Sequence, residues 1–345
     1  MRLSRRSFLG HSVTGISALP LLASTTSLSA AAAGTKSMGE AKFVDVDGVR
    51  TRYFEGGSGD PMVLVHESHF GSTASSVRWI PIFPGLAAHF HVYALDKLGM
   101  GLTDLPLDDS GYSMRATLDH IYRFIETLGI DNFHIAGHSR GALPSARIAM
   151  DHPEKVKTLT IFNSNTVAPG NPVRPPRELR PPGPPPTKAS IRERLMSGDN
   201  TFNKGWITDE YVEGELEVAS HPKIRQAAER FDFLRKRFIA ENPEKVKARP
   251  GLASNSGTGW WQYKVKDETM EMFEAGRLKT PSLVLWGFND PSATYTNAVE
   301  VFELISKSVD QAELHFFNRS NHFVFHDYPQ EVIELMVSFI ERVGD

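Results

Sequence analysis

The 345-residue chain contains no cysteine. Disulfides, thiolate metal ligands and a thiol nucleophile are excluded at once. Charge of one sign is also missing: 38 Lys and Arg stand against 41 Asp and Glu, for a formal net charge of −3. No basic surplus is available to grip a nucleic acid or an anionic surface, so neither is expected as a partner. A long unbroken apolar run is absent too. The stretch that follows Phe8 reaches only to about Ala23 and is interrupted by Gly15 and Pro20, too short and broken for stable membrane insertion. No internal repeat and no cofactor-binding or metal-binding motif is found. What remains is a chain that is 40% hydrophobic, ample for one large core and long for one undecorated domain.

The N-terminus has the order of an export signal: charged, apolar, then small. Paired arginines in Ser4-Arg5-Arg6-Ser7-Phe8-Leu9-Gly10 precede the apolar stretch, and Ser29-Ala30-Ala31-Ala32-Ala33 supplies a small-residue cleavage zone. The twin arginine followed by Phe-Leu resembles a bacterial Tat signal. Residues 1–33 are thus expected to engage the Tat export machinery and place the mature protein in the periplasm.

Beyond it, Lys42–Val46 and Val49–Phe54 read as strands joined by Asp47-Gly48, a strong hairpin signal. Pro61–Val65 is a continuous apolar run, as expected of a strand buried on both faces. His91–Leu95 is the next strand. A helix over 113–128 with Ser113 as N-cap follows, then strand 132–138, helix 141–151 and strand 156–163. This alternation predicts a parallel α/β sheet. It stops near Asn165. Ala168-Pro169-Gly170 through Pro184-Pro185-Pro186 is proline-rich and reads as an extended linker, followed by helical segments at 188–197, 208–219 and 222–240 and a loop bearing Trp260 and Trp261. Strands resume at Ser282–Trp286 and Leu314–Phe317, and an amphipathic helix over 329–342 closes the chain. The expected organisation is a core of 34–165 and 279–345, interrupted after the sixth strand by a mostly helical cap of 166–278.

Strand 132–138 runs directly into Gly137-His138-Ser139-Arg140-Gly141, and a helix begins at once. In that context G-x-S-x-G is a nucleophile elbow: flanking glycines relieve the clashes of a sharp turn that lifts Ser139 Oγ clear of the sheet edge. A serine hydroxyl needs a general base, and the base needs an orienting acid. Asp290 follows strand Ser282–Trp286 and His322 follows strand Leu314–Phe317, so both fall on the edge that carries Ser139. The order Ser, Asp, His fits. An oxyanion requires two backbone N–H groups. Arg140 supplies one by position, and Ser68, in the loop His66–Gly71, supplies the other.

Residues 40–342 resemble the α/β-hydrolase family throughout. The likeness rests on His66, on Asp96 with Gly99-Met100-Gly101, on the elbow, on Asp151-His152-Pro153-Glu154-Lys155-Val156, and on the Asp290 and His322 loops. It implies a mostly parallel, eight-stranded sheet flanked by helices. Within the family the chain looks most like the meta-cleavage-product hydrolases, which hydrolyse a C–C bond. Their lid begins with a helix similar to Ile207–Gly214, and the run His221-Pro222-Lys223-Ile224-Arg225 also fits. Four positions depart. Glu215 stands where those enzymes carry an arginine for the substrate carboxylate, Gly101 where they have asparagine, Phe323 where they have tryptophan, and Glu67 where they have glycine.

The expected activity is hydrolysis of a small ester-like carbonyl substrate through an acyl-enzyme, without a cofactor. C–C hydrolysis of a diketone by the same triad is the rival, and a catalytically dead binding protein is the alternative from another class. Haloalkane dehalogenase and epoxide hydrolase chemistry use Asp at the elbow and do not fit Ser139. Glu67, His69, His138, Trp206, Trp260, Trp261 and Phe323 are the candidate pocket residues. A carboxylate aimed at the oxyanion hole would oppose the charge the hole must stabilise. Glu67 is therefore expected to be turned away or paired, with Arg140 or His69 as the nearest partners, unless both Glu67 and Arg140 simply reach solvent.

Overall fold

A computed structural model describes residues 37–170, 178–179, 181, 183–254 and 259–344. The signal-like segment 1–33 and much of the proline-rich stretch lie outside the described residues.

The core is built in chain order from β1 (Lys42–Val46), β2 (Val49–Gly56), β3 (Pro61–Val65), α1 (Phe83–Ala87), β4 (His91–Leu95), α2 (Met114–Thr127), β5 (Phe133–His138), α3 (Ala142–Asp151) and β6 (Val156–Phe162). Then come α4 (Lys188–Ser197), α5 (Asp209–Ser220), α6 (Pro222–Glu241), α7 (Pro243–Ala248) and α8 (Tyr263–Glu274). The chain returns through β7 (Ser282–Gly287), α9 (Tyr295–Ser306), β8 (Ala312–Phe317), α10 (Val324–Asp327) and α11 (Pro329–Gly344).

The eight strands form one sheet in the order β1-β2-β4-β3-β5-β6-β7-β8. β1 and β2 are antiparallel to their neighbours, and the six strands from β4 to β8 are parallel. The β1–β2 turn holds Asp47 at φ 50° and Gly48 at φ 85°, both left-handed, as the favoured two-residue hairpin turn requires.

The inner parallel strands are covered on both faces, and their side chains show how. Met62 and Leu64 of β3 join Leu283 and Leu285 of β7 in a cluster under α1 and α11, with Phe83, Leu86, Met336 and Phe339. Val63 and Val65, with Val284 and Trp286, face the opposite layer, where Ile121, Phe124 and Ala146 of α2 and α3 cover them. An unbroken apolar run thus splits by alternation between two cores. Each fully buried side chain of this kind contributes roughly 1.5–3 kcal/mol.

The segment between β6 and β7 is helical. Thr187 and Ser190 form a capping box that starts α4, Thr208 caps α5, and His221 ends α5 while its ring accepts the Lys223 N–H to start α6 at Pro222. α4 and α5 meet the core through a small cluster in which Val77 packs with Ile191, Leu195, Ile207, Tyr211 and Val212. Polar links add to it. Lys223 Nζ donates to the carbonyls of Met100 and Thr103, and Arg52 Nη1 lies 3.1 Å from Glu217. The sequence reading did not assign α8 or α9. α8, inside the stretch read as insertion, packs against α3 and α9 of the core. Among the described residues, no helix is long and apolar enough to cross a membrane.

Candidate active site

β5 delivers Ser139 at φ 52°, a left-handed conformation costing on the order of 1–3 kcal/mol in a non-glycine residue. The flanking glycines are steric requirements. A Cβ on Gly137 would lie 2.6 Å from the Ala142 Cα, and one on Gly141 would lie 2.2 Å from the Val65 carbonyl oxygen. Ser164 Oγ (2.6 Å) and Thr166 Oγ1 (3.2 Å) both donate to the Ser139 carbonyl and pin the turn.

The loops after β7 and β8 meet at the same edge. His322 Nδ1 lies 2.6 Å from Asp290 Oδ2 and 3.0 Å from Ser292 Oγ. Asp290 Oδ1 accepts from the Ser292 N–H and hydroxyl, both at 2.7 Å, while Asn163 Nδ2 donates to Oδ2 at 3.0 Å. Burial alone pushes the Asp290 carboxyl up. The charge and hydrogen bond of His322, with the bonds from Ser292, outweigh it and hold the group well below the usual carboxylate range. Asn163 is itself a buried hub: it also donates to the Asn321 carbonyl and receives the Gly287 N–H. No hydrogen bond joins Ser139 Oγ to His322 among the described residues. Such contacts are often long in a ligand-free site.

Ser68 sits beyond β3 at φ 75°. The carbonyls on either side of it are taken: His66 Nδ1 donates to the Glu67 carbonyl (2.9 Å) and Lys97 Nζ donates to the Ser68 carbonyl (3.1 Å). His66 Nε2 accepts the Lys97 backbone N–H at 3.1 Å, which makes His66 the neutral Nδ1–H tautomer. Burial, with the neighbouring Lys97 charge, pushes its imidazole down to about 4.

Glu67 is 7% exposed, so it does not reach solvent. The expectation of Arg140 or His69 as its partner is corrected: Arg78, eleven positions on, holds it, with Nε 3.0 Å from Oε1. A side chain leaving the 3-10 turn Ser76–Trp79 reaches back over the loop after β3, which no local pattern announces. Burial pushes the Glu67 carboxyl up, but the Arg78 charge and His138 hold it well below its ordinary range. Arg78 Nη1 also meets Tyr211 (2.7 Å) and Glu215 (3.1 Å) of α5, and Arg194 of α4 closes on Glu215 at 2.8 Å. Glu215 is therefore a fully buried acid between two arginines.

The remaining candidates divide. His138 is fully buried, donates from Nε2 to the His322 carbonyl (2.8 Å) and packs against Phe323. It supports the site from beneath rather than lining a pocket. His69 stacks on Phe231 of α6 with ring centroids 5.4 Å apart. Trp206 and Phe323 line a cavity of about 200 Å3 with Arg78, Arg194, Lys204 and His326. Trp261 packs on Phe70 and Phe231, and Trp260 on Phe231 and Phe238. Both line a separate cavity of about 310 Å3 that contains none of Ser139, Asp290 or His322. Trp261 thus joins α6 to the loop that carries Phe70, while Trp260 packs along α6. Sequence reasoning missed Asn163, Ser292, Arg78 and Lys97. Two signals were available: a serine two residues after Asp290, the spacing of an Asx turn, and a polar residue just past the end of β6.

Comparison with known proteins agrees with this architecture. A family model described as alpha/beta hydrolase fold matches residues 60–329. The 2-hydroxy-6-oxo-6-(2'-aminophenyl)hexa-2,4-dienoic acid hydrolase of Metapseudomonas resinovorans is 34% identical over 124 residues, 36% of this chain and 42% of that protein. The chain thus spans about two-fifths of the length of the first curated relatives it matches. The 2-hydroxy-6-oxo-2,4-heptadienoate hydrolase of Pseudomonas putida is 24% identical over 305 residues, 87% of this chain and 95% of the relative. Among solved structures, a serine hydrolase involved in carbazole degradation superposes with a TM-score of 0.63 at 22% identity, covering 88% of this chain and 98% of that one. That likeness shows the shared fold.

Proposed function

The chain belongs to the α/β-hydrolase fold family, and from that premise we propose that it is a serine hydrolase acting on a small carbonyl substrate through an acyl-enzyme. The reading is carried by one contact: His322 Nδ1 at 2.6 Å from Asp290, on the sheet edge where the elbow presents Ser139. Asp290 fixes the imidazole with Nδ1 protonated, which leaves Nε2 as the base for the Ser139 hydroxyl. Ser139 attacks the carbonyl, and the developing negative charge is received by the N–H groups of Ser68 and Arg140. The imidazolium returns its proton to the leaving group. Water, activated by the same histidine, then releases the acid and restores Ser139.

An ester-like bond is the lead substrate. C–C hydrolysis of a diketone is the second reading, favoured by the activities named for the relatives in Metapseudomonas resinovorans and Pseudomonas putida. In this chain the α5 position read as their carboxylate grip is Glu215, locked between Arg78 and Arg194, so a dienoate would need another recognition group. Export through the Tat machinery to the periplasm is proposed from the N-terminal sequence.

A fluorophosphonate probe tests the mechanism. The wild-type protein should be labelled covalently and Ser139→Ala should not. A wild-type protein that resists labelling would leave a binding protein on this fold. A panel of small esters and diketones then separates the two substrate classes.

A further inference from the structure

Lys97 is fully buried, yet it forms no salt bridge among the described residues. A buried ammonium without a carboxylate in contact is costly. Burial pushes the amine down to about 7, with Glu67 favouring its charge and Arg140 opposing it. The cost falls on one hydrogen bond, from Nζ to the Ser68 carbonyl at 3.1 Å.

Ser68 is held at φ 75°, where a side chain is strained. In a trans peptide the carbonyl and the following N–H point opposite ways. The hold of His66 on the Glu67 carbonyl therefore turns the Ser68 N–H away from the ring. The hold of Lys97 on the Ser68 carbonyl fixes the next peptide plane. The same two residues are joined to each other, through the Lys97 N–H and His66 Nε2. Two peptide planes clamped on either side of one Cα leave φ and ψ of Ser68 no freedom.

We propose that Lys97 is a positioning residue for the oxyanion hole, which with His66 holds Ser68 in its left-handed conformation so that its N–H stays aimed at the reacting carbonyl. The proposal rests on the serine-hydrolase reading and on Ser68 as an oxyanion donor. Lys97 acts through the backbone and touches no substrate atom. Its contribution belongs to the transition state, so its loss lowers kcat while KM stays nearly constant.

The test compares wild type with Lys97→Met, a side chain of similar length that cannot donate. The second-order rate of fluorophosphonate labelling should fall by about tenfold or more, since that reaction also places charge in the hole. With p-nitrophenyl acetate, kcat should fall by the same order with KM little changed. The thermal midpoint at pH 7 should hold or rise, because a buried amine has been removed; a merely structural lysine would show the opposite pair of changes. Should Lys97→Met not accumulate as folded protein, Lys97→Leu, which also lacks a donor, decides, and it should label more slowly by the same order. Labelling at the wild-type rate in a folded variant overturns the proposal. Absence of labelling in wild type would instead remove the serine-hydrolase reading beneath it.

Discussion

Arg78 Nε lies 3.0 Å from Glu67 Oε1, so the carboxylate in the loop after β3 is neutralised by an arginine whose other arm is held by Glu215 of α5. Removing the cation leaves Glu67 and Glu215 buried together without it. Arg78→Met should destabilise the protein by about 3–5 kcal/mol in chemical denaturation. Glu67→Gln and Glu67→Ala leave Arg78 paired with Glu215, so their stability cost should be smaller. Both should slow acylation, since neither keeps the charge that fixes the loop; unchanged acylation rates in both variants would reduce Glu67 to a bystander.

Ser139→Ala should fold with an unchanged thermal midpoint or a slightly raised one, and turnover should fall on the order of 10⁴-fold or more. Near-native turnover of any substrate in that variant would exclude Ser139 as the nucleophile.

Asn163 donates to Asp290 and to the Asn321 carbonyl and receives the Gly287 N–H. Asn163→Ala leaves these buried groups unsatisfied, at a cost of about 1–3 kcal/mol. Because Asp290 would be held less firmly, kcat should drop with little change in KM. Steady-state kinetics beside a denaturation curve checks both halves.

Burial keeps four imidazoles neutral: His66, His120 and His134 at about 4, and His326 at about 3. In the unfolded chain a histidine titrates near 6.5. Between those values the unfolded state binds more protons, so stability is fully present above about pH 6.5 and is lost as pH falls toward 4. The thermal midpoint should decline steeply below pH 6. A flat profile down to pH 4 would contradict the burial of these rings.

Gly101 holds φ 49°, and a Cβ there would fall 2.0 Å from Asp96 Oδ2. Gly101→Asn, the residue the resemblance leads one to expect, should therefore destabilise strongly, which expression yield and thermal midpoint will report. Asp96 cannot yield easily, because its carboxylate receives Arg52 Nε (2.6 Å), the Ser76 N–H and the Leu102 N–H.

The strands were legible because β3 and β7 are short apolar runs between turn residues, and observed ends fall within about two residues of those expected. The helix α8 was not. Three of its four buried positions, Val265, Thr269 and Phe273, recur every fourth residue but are diluted by charged neighbours, and the fourth is itself a lysine, Lys266. Ser139, Asp290 and His322 could be singled out because an elbow and two post-strand loops are local patterns. Arg78 and Lys97 could not, since each acts on a loop reached only through the fold. Glu215 stood out as a misplaced acid; its partners became visible only when α4, α5 and the turn after the oxyanion loop came together.

The links between helices and core also bear on engineering. Lys223 ends on two core carbonyls, Glu217 on Arg52, and Tyr211 with Glu215 on Arg78. Helices α4 to α6 carried alone onto another scaffold would strand the Lys223 amine and leave Glu215 with Arg194 alone. The transferable unit is α4 to α6 together with their receptors Arg52, Arg78 and the Met100–Thr103 turn.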